Sequence, residues 1–447
     1  MMNIKKIAAR ACLASAGAVF YCVNAWAAIP IQHWTQPSGA QVWLVESPSI
    51  PMLDVQIDFD AGSRRDPASQ AGLASVTALM AGKGVAARGG QPALDENQLG
   101  EAWADLGASF GASAGLDRLS FTLRTLTDAA ILPQAAQLAA RELGAPAWPA
   151  AVWQRERQRL SAAIAESRTR PGTIAALRFD AAVYGQHPYG YETTPESLAR
   201  IDVMDQQRFY QQHVQPCRAR VSVVGAIDRA RADALVTGLL AQLPQAQSCA
   251  PLPPVPEVAP LAAPQEIRVP LQSAQAHVLI GQPGHKRSDP DFFALLVGNH
   301  ILGGGGFTSR LMDQVREQRG LSYSVYSHFS PGRDAGAFTI GLQTRPDQAD
   351  EAIAVARQVL AGFVADGPTV DELQAAKDNL IGGFALRIDS NRKLLANVAN
   401  IAWNDLPLDY LEHWTERVAA VTPEQIKAAF QRVLQPERMV TVVVGGR

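Results

Sequence analysis

The stretch YQQHVQPCRARVSVVG at residues 210–225 recurs as FQRVLQPERMVTVVVG at residues 430–445. The two copies align without a gap at an offset of 220 residues, and seven of the sixteen positions are identical. Each copy has the pattern of a helix end, a proline break and a buried strand rich in valine. The repeat therefore predicts two domains with the same fold.

A second similarity marks the start of each half. GSRRDP at 62–67 and GHKRSDP at 284–290 both follow a strand-like run and precede a helical pattern. Between the halves, residues 251–264 contain six prolines, which disfavour both a helix and a central strand. We predict a first domain at 28–250, a proline-rich linker at 251–264 and a second domain at 265–447.

Strand-like and helical patterns are interspersed within the first half, which favours an α+β fold built from α/β sandwich domains. In each domain we expect helices packed on a mixed sheet. A hairpin is expected around Gly107–Gly115. The strand-like runs are 40–46, 53–60, 118–126 and 219–225, and the helical stretches lie near 71–82, 94–106, 128–143, 149–167 and 229–243.

The first residues have the pattern of a signal peptide. Lys5, Lys6 and Arg10 precede an uncharged run from Ala11 to Val23, and Ala25 and Ala27 place small residues at the two positions that a signal peptidase reads. We predict cleavage after Ala27, removal of residues 1–27 and export to the periplasm. The apolar run is shorter than the roughly 20 residues that span a membrane, and no later stretch is longer. We therefore expect no membrane span.

The charge balance excludes one large class of partners. Without the three basic residues of the predicted signal peptide, 37 Lys and Arg face 42 Asp and Glu. Such a mildly acidic chain does not favour a nucleic-acid partner. Two cysteines remain, Cys217 and Cys249, and an oxidising compartment allows them to form a disulfide. Two unpaired buried thiols are the alternative.

Several catalytic motifs are missing. The glycine run Gly303, Gly304, Gly305, Gly306 lacks the Lys-Ser/Thr of a phosphate loop. By itself this run predicts a flexible or tightly turning loop. No two histidines lie three or four residues apart, as a helical zinc site would need. His413 and Glu416 have helical spacing, but a lone pair of this kind is more typical of a surface.

Three stretches together resemble the pitrilysin/insulinase family of zinc peptidases, in its small processing-peptidase-like branch. They are GSRRDPASQAGLASVTALMAGKG at 62–84, HPYGYETTPESLARI at 187–201 and ILGGGGFTSRLMDQVREQRGLSYSVYS at 301–327. The resemblance covers essentially the whole chain after the signal peptide. It implies two homologous domains in a clam-like arrangement.

The resemblance also shows what this chain lacks. Active members carry G-L-A-H-x-x-E-H-M, in which two histidines hold zinc and the glutamate acts as the base. The matching positions here are Ser75, Ala78 and Leu79, and the further glutamate ligand corresponds to Ala163. Glu166 lies three residues later, on the next helical turn. The resemblance therefore implies a degenerate zinc site, with no metal and no cofactor bound by this chain.

The second half keeps a different part of the family pattern. An arginine and a tyrosine seven residues apart, which in the family reach the substrate at the zinc site, match Arg316 and Tyr323. The alternative is that Arg316 only pairs with Glu317 or Asp313 on a solvated helix. A guanidinium and a phenol can both donate hydrogen bonds to a peptide carbonyl. The resemblance also implies that the run 303–306 is a loop beside the peptide cleft, where bare backbone approaches closely.

Three functions follow as hypotheses. The first is a non-catalytic, substrate-binding subunit of an exported heterodimeric zinc peptidase, whose homologous partner subunit carries zinc and cuts the peptide. The second is a scaffold or peptide-binding protein with no catalytic partner. The third is peptide hydrolysis at an unrecognised site of this chain alone.

Overall fold

The computed structural model describes residues 29–244 and 249–446, and the predicted signal peptide lies outside them. The first half contains a six-stranded mixed sheet with the order β1-β2-β6-β3-β5-β4. Its strands are β1 (Gln32–Thr35), β2 (Gln41–Glu46), β3 (Met52–Phe59), β4 (Ser109–Ala114), β5 (Leu119–Leu126) and β6 (Arg220–Gly225). Its helices are α1 (Leu73–Ala81), α2 (Glu96–Asp105), α3 (Ile131–Gly144), α4 (Ala150–Ser167), α5 (Pro171–Tyr184), α6 (Pro195–Ala199), α7 (Val203–His213) and α8 (Arg229–Leu240).

The second half contains a five-stranded mixed sheet with the order β7-β11-β8-β10-β9. Its strands are β7 (Gln265–Val269), β8 (Ala276–Pro283), β9 (Ser324–Phe329), β10 (Ala337–Thr344) and β11 (Val440–Val444). Its helices are α9 (Phe292–Asn299), α10 (Ala349–Asp366), α11 (Val370–Gly382), α12 (Asn391–Trp403), α13 (Trp414–Ala420) and α14 (Pro423–Val433).

The sequence repeat coincides with a repeat of topology. β6 lies between a parallel neighbour, β2, and an antiparallel one, β3, and β11 lies in the same way between β7 and β8. The preceding helices α7 and α14 both begin with a capping box, at Asp202 and Thr422. The glycine that ends each copy is required by close packing, because a Cβ on Gly225 or Gly445 would lie 2.3 or 2.5 Å from a backbone oxygen. The predicted fold class, helices packed on mixed sheets, is confirmed.

The predicted hairpin is present but displaced. β4 and β5 are antiparallel neighbours, and the turn between them lies at residues 115–118. The expectation of a hairpin around Gly107–Gly115 is therefore wrong in position. Residues 109–114 are themselves a strand, because their backbone pairs along β5.

The two halves exchange one helix each. α5 belongs to the first half by sequence, yet its Phe179 packs over Gly281 of β8, and the Tyr184 hydroxyl accepts a hydrogen bond from the Ala337 amide. In return, α12 lies against β6 and β3 of the first sheet. Arg220 of β6 donates a hydrogen bond to the Ala402 carbonyl at the end of α12. Each sheet is thus covered partly by the other half.

The proline-rich segment is held against both halves without forming a helix or strand at residues 249–264. Arg65 donates a hydrogen bond to the Pro253 carbonyl, and Lys286 pairs with Glu257 at 2.6 Å. At its start, Cys249 forms a disulfide with Cys217, with 6.1 Å between the two Cα atoms. The bond attaches the segment to the turn that precedes β6.

Among the residues that the structure describes, none of the helices combines the length and apolar character needed to cross a membrane.

Candidate functional site

The helix predicted to correspond to the zinc-binding helix of the family, α1, begins at a sharply defined turn. The Asp66 carboxylate accepts hydrogen bonds from the backbone amides of Gly72 and Ala74 at 2.8 and 2.9 Å. Gly72 has a φ of 101°, and a Cβ there would lie 2.7 Å from the Thr193 side chain. These contacts fix where α1 begins and therefore where its side chains point.

The three degenerate positions on α1 have different surroundings. Ser75 is exposed, Ala78 is buried and Leu79 is half-buried. Ala78 and Leu79 line a cavity of about 410 Å³. Ala163 is exposed on α4, and Glu166 pairs with Arg170 at 2.7 Å at the surface. Serine, alanine and leucine offer neither imidazole nor carboxylate, so the residues at these positions do not fit zinc.

Charged side chains connect the end of α1 to α2 and α4. Lys83 forms an ion pair with Glu96, and its Nζ lies 3.7 Å from Glu156. Arg155 bonds to both carboxylates, at 2.6 and 2.8 Å. Hydrogen bonds from Lys83 and Arg155 hold the pKa of Glu96 below its usual value. Lys83 and Glu96, which both line the cavity, are therefore already paired.

One further carboxyl group in this cavity was not predicted from the sequence. Glu142 of α3 is only 3% exposed, and its Oε2 accepts a hydrogen bond from Trp103 Nε1 at 2.9 Å. Burial raises the pKa of Glu142 to about 7, although the indole hydrogen bond opposes the shift. Within REL at 141–143 it has no motif around it, and only the packing of α3 against the cavity reveals it.

Elsewhere in the described part of the chain, no cluster of three or more His, Cys, Asp or Glu could hold a metal ion. His413 and Glu416 do contact each other, with 2.7 Å between Nδ1 and Oε2. Both side chains are exposed, and the glutamate raises the pKa of His413. This is the surface pair that the spacing suggested.

Arg316 and Tyr323 lie together on the second half. Arg316 lies in the last turn of a π-helical segment at Met312–Glu317, and its Cζ lies 5.2 Å from the centre of the Tyr323 ring. On another side, Cζ lies 4.9 Å from the ring of Phe307, and Glu317 is 3.5 Å away. Phe307 and Tyr323 are 71% and 82% exposed. The guanidinium thus contacts two exposed aromatic rings.

The glycine run forms turns whose two ends have different surroundings. Gly303 and Gly304 belong to a π-helical turn at His300–Gly304, and a Cβ on Gly303 would lie 2.4 Å from the backbone nitrogen of Ser327. Gly306 has a φ of 64° and open space around it. Gly303 is therefore needed for packing against β9, while Gly306 makes the turn that precedes Phe307.

A second cavity, of about 400 Å³, borders Tyr323. Tyr326 and His277 line it from the second sheet, and Gly172 at the start of α5 lines it from the first half. Burial lowers the pKa of His277. The sequence did carry a signal for this surface, because Ser324, Tyr326 and His328 alternate with buried residues along β9.

Comparisons with known proteins agree with the fold. The family described as "peptidase M16 inactive domain" matches residues 200–380. The crystal structure of the peptidase M16 inactive domain from Pseudomonas fluorescens superposes with a TM-score of 0.86 and 33% identity, covering 93% of this chain and 98% of that one. An uncharacterized zinc protease of Streptomyces coelicolor is 28% identical over 295 residues, so that the match covers 64% of this chain and only 64% of that relative. A non-peptidase homolog of Helicobacter pylori is 31% identical over 153 residues, or 34% of this chain and 35% of that protein.

Proposed function

We infer the function from the family to which this chain belongs, peptidase M16, the zinc peptidase family that its sequence resembles. The chain is a peptidase-derived protein. We propose that it is the non-catalytic, substrate-binding subunit of a heterodimeric zinc peptidase. Its partner is a homologous subunit that carries the H-x-x-E-H helix. The proposal includes export to the periplasm, as the pattern of residues 1–27 predicts.

The observation that carries this proposal is the state of the Arg316 side chain. A guanidinium that served only stability would be expected to bond to a carboxylate, and its nearest one, Glu317, lies at 3.5 Å on an exposed surface. Besides this long ion pair, Arg316 contacts the rings of Phe307 and Tyr323, which are themselves largely exposed. Exposed tyrosine and arginine side chains in contact are typical of residues that bind a partner.

The chemistry of the pair suits a peptide held in a partner's active site. The guanidinium has five N–H donors and the phenol has one O–H donor. Both can donate to the carbonyl oxygen of the bond that the partner cuts, where negative charge develops. In this role the two residues bind and orient the peptide, and the bond is broken on the other chain.

Reconstitution tests the proposal. The chain is co-expressed with an exported homologue from the same genome that carries H-x-x-E-H, and hydrolysis of a mixed peptide library is measured. We expect Arg316→Ala and Tyr323→Phe each to reduce turnover, by about 100-fold for a lost donor to the developing charge. Arg319→Ala, an exposed neighbour, is the matched control, and size-exclusion chromatography checks that every pair still assembles.

Two results would count against the proposal. If neither variant changes the turnover of an assembled pair, the arginine and tyrosine have no role in the reaction. If the chain fails to assemble with any zinc-bearing homologue, the result favours the scaffold hypothesis instead. Metal analysis adds an independent check, because we expect well below one zinc per isolated chain.

A further inference from the structure

Arg287 is a buried arginine whose partners are all neutral. It lies in the basic turn GHKRSDP at 284–290 and is only 8% exposed. Its Nη2 donates a hydrogen bond to the Tyr410 hydroxyl at 2.7 Å, and its Cζ lies 3.7 Å from the centre of the Phe292 ring. Within residues 29–244 and 249–446, no carboxylate forms an ion pair with it. This is unusual, because a buried charge is normally paired.

The first half contains a corresponding arrangement in which the protein supplies the carboxylates. Arg64 lies in the matching turn GSRRDP, is 7% exposed, and lies 3.5 Å from Asp117 and 3.3 Å from Asp334. Tyr189 follows α5 as Tyr410 follows the other exchanged helix, α12. The Tyr189 hydroxyl donates a hydrogen bond to Asp117 at 2.5 Å. In this half, one carboxylate therefore contacts both the arginine and the tyrosine.

In the second half, donors of the same two residue types have no acceptor. The Tyr410 oxygen accepts the bond from Arg287, so the phenol proton stays available, and no acceptor for it is found in the described part of the chain. Nε and Nη1 of Arg287 also have no bond partner there, and neither atom is completely enclosed by the protein. Arg287 and Tyr410 thus present N–H and O–H donors side by side.

The charges around these donors favour an anion. A second guanidinium, that of the exposed Arg417, has its Cζ 5.8 Å from the centre of the Tyr410 ring. Arg417 has no ion pair with any residue that the structure describes. The acidic side chains nearest in the chain contact other basic groups: Asp289 contacts Arg432 at 2.6 Å, and Asp409 and Glu416 contact His413 at 3.6 and 2.7 Å.

Aromatic rings lie beside the same donors. The rings of Phe292 and Phe293 are 5.5 Å apart, and Phe293 lies 5.9 Å from the Tyr410 ring. Both phenylalanines are half-buried, so part of each ring is open to a ligand. A planar carboxylate matches the fork of N–H groups on a guanidinium, and an apolar group attached to it can pack on the rings.

We propose that Arg287, Tyr410 and Arg417 bind the carboxylate of a small organic acid, whose apolar part contacts the neighbouring aromatic rings. The ligand's carboxylate has here the role that Asp117 has in the first half. This site goes beyond the proposed peptidase function, because it uses none of the residues proposed to bind the substrate peptide.

The test uses the isolated full chain without its predicted signal peptide and without any partner subunit. Binding of benzoate is measured by isothermal titration calorimetry. Benzamide, a neutral molecule of nearly the same shape, and inorganic phosphate, an anion without a carboxylate, are measured in parallel. We expect benzamide and phosphate each to bind at least about tenfold more weakly than benzoate, because one charge-assisted hydrogen bond corresponds to a factor of about 10 to 100.

The variants identify the residues responsible. Arg417→Gln removes an exposed positive charge and should weaken benzoate binding about tenfold without changing the binding of benzamide. Arg287→Lys keeps the charge but removes the planar fork, and it should weaken benzoate binding by at least the same factor. Arg319→Gln is the matched control, because it removes an exposed arginine elsewhere in the second half and should leave benzoate binding unchanged. Circular dichroism establishes that each variant is folded.

Four outcomes would overturn the proposal. Equal affinity for benzoate and benzamide would show that the carboxylate is not recognised, and equal affinity for benzoate and phosphate would contradict an organic acid as the ligand. Equal effects of Arg417→Gln and Arg319→Gln would place the ligand elsewhere, and the absence of benzoate binding at millimolar concentration would exclude the site. None of these results bears on the proposed peptidase subunit, because neither a partner nor a peptide is present.

Discussion

The buried carboxyl group of Glu142 makes the stability of the protein depend on pH in a direction that can be worked out. Its pKa is about 7 in the folded chain against 4.5 for the ordinary side chain, a rise of about 2.5 units. Below pH 4.5 the group is protonated in both states, and it has no effect on the free energy of unfolding. Between these pH values the folded state binds more protons than the unfolded state, so stability falls as the pH rises. Above pH 7 the buried carboxylate lowers the free energy of unfolding by its full amount, about 3 kcal/mol, because each pKa unit corresponds to 1.36 kcal/mol.

Glu142→Gln removes this dependence while leaving an acceptor for the Trp103 indole. Relative to the natural chain, the variant should gain about 2 kcal/mol in the free energy of unfolding between pH 5.5 and pH 8, the part of the range where most of the titration occurs. Urea titrations of both proteins at the two pH values measure this difference directly. Glu101→Gln, whose carboxyl group is exposed, should show no such change.

A gain that is the same at pH 5.5 and pH 8 would refute the reasoning, because the carboxyl group would then not titrate between them. A stability gain of Glu142→Gln that is larger at pH 5.5 than at pH 8 would contradict the predicted direction. Either result would mean that water or another donor reaches Glu142 in solution.

Three further predictions concern other parts of the molecule. Gly303→Ala should lower the free energy of unfolding by about 1–3 kcal/mol, because its Cβ would lie 2.4 Å from the Ser327 nitrogen. Thermal melting measures this loss. Phe307→Ala should lower the turnover of a reconstituted pair without changing its assembly, and Phe307→Tyr should preserve turnover, because a ring is what contacts Arg316. Cys217→Ser should destabilise the chain by about 3–4 kcal/mol under oxidising conditions only, as urea titrations with and without reductant would show.

Much of the fold could be predicted from the sequence because its pattern occurs twice in the chain. The copies at 210–225 and 430–445 correspond to a helix, a turn and a strand in the same topological position of each sheet. The exchange of helices between the halves could not be predicted from the sequence. α5 and α12 carry ordinary helical patterns, and nothing in a local pattern states which of two similar sheets a helix will cover.

Some residues of the candidate site could likewise be predicted from the sequence, and others could not. The chemical types at Ser75, Ala78 and Leu79 can be read directly, because an absent imidazole is a property of the sequence. Glu142 and Phe307 could not be recognised from the sequence. Glu142 is surrounded by segments distant in the chain, and Phe307 takes its position from the turn at Gly306. The packing of Gly303 could not be predicted for a related reason, because only the position of β9 shows that Gly303 contacts the protein itself.

The exchanged helices also determine how the molecule could open. α5 is packed on β8 and β11, and α12 on β3 and β6, so neither helix can stay with its own half if the sheets separate. The rigid bodies of such a motion would each be discontinuous along the chain. The hinges would then lie at the ends of these helices, near Arg170 and Gly185 on one side, in addition to the proline-rich segment that also connects the two bodies. Expressing either half alone would leave part of a sheet uncovered, so neither half is expected to fold by itself.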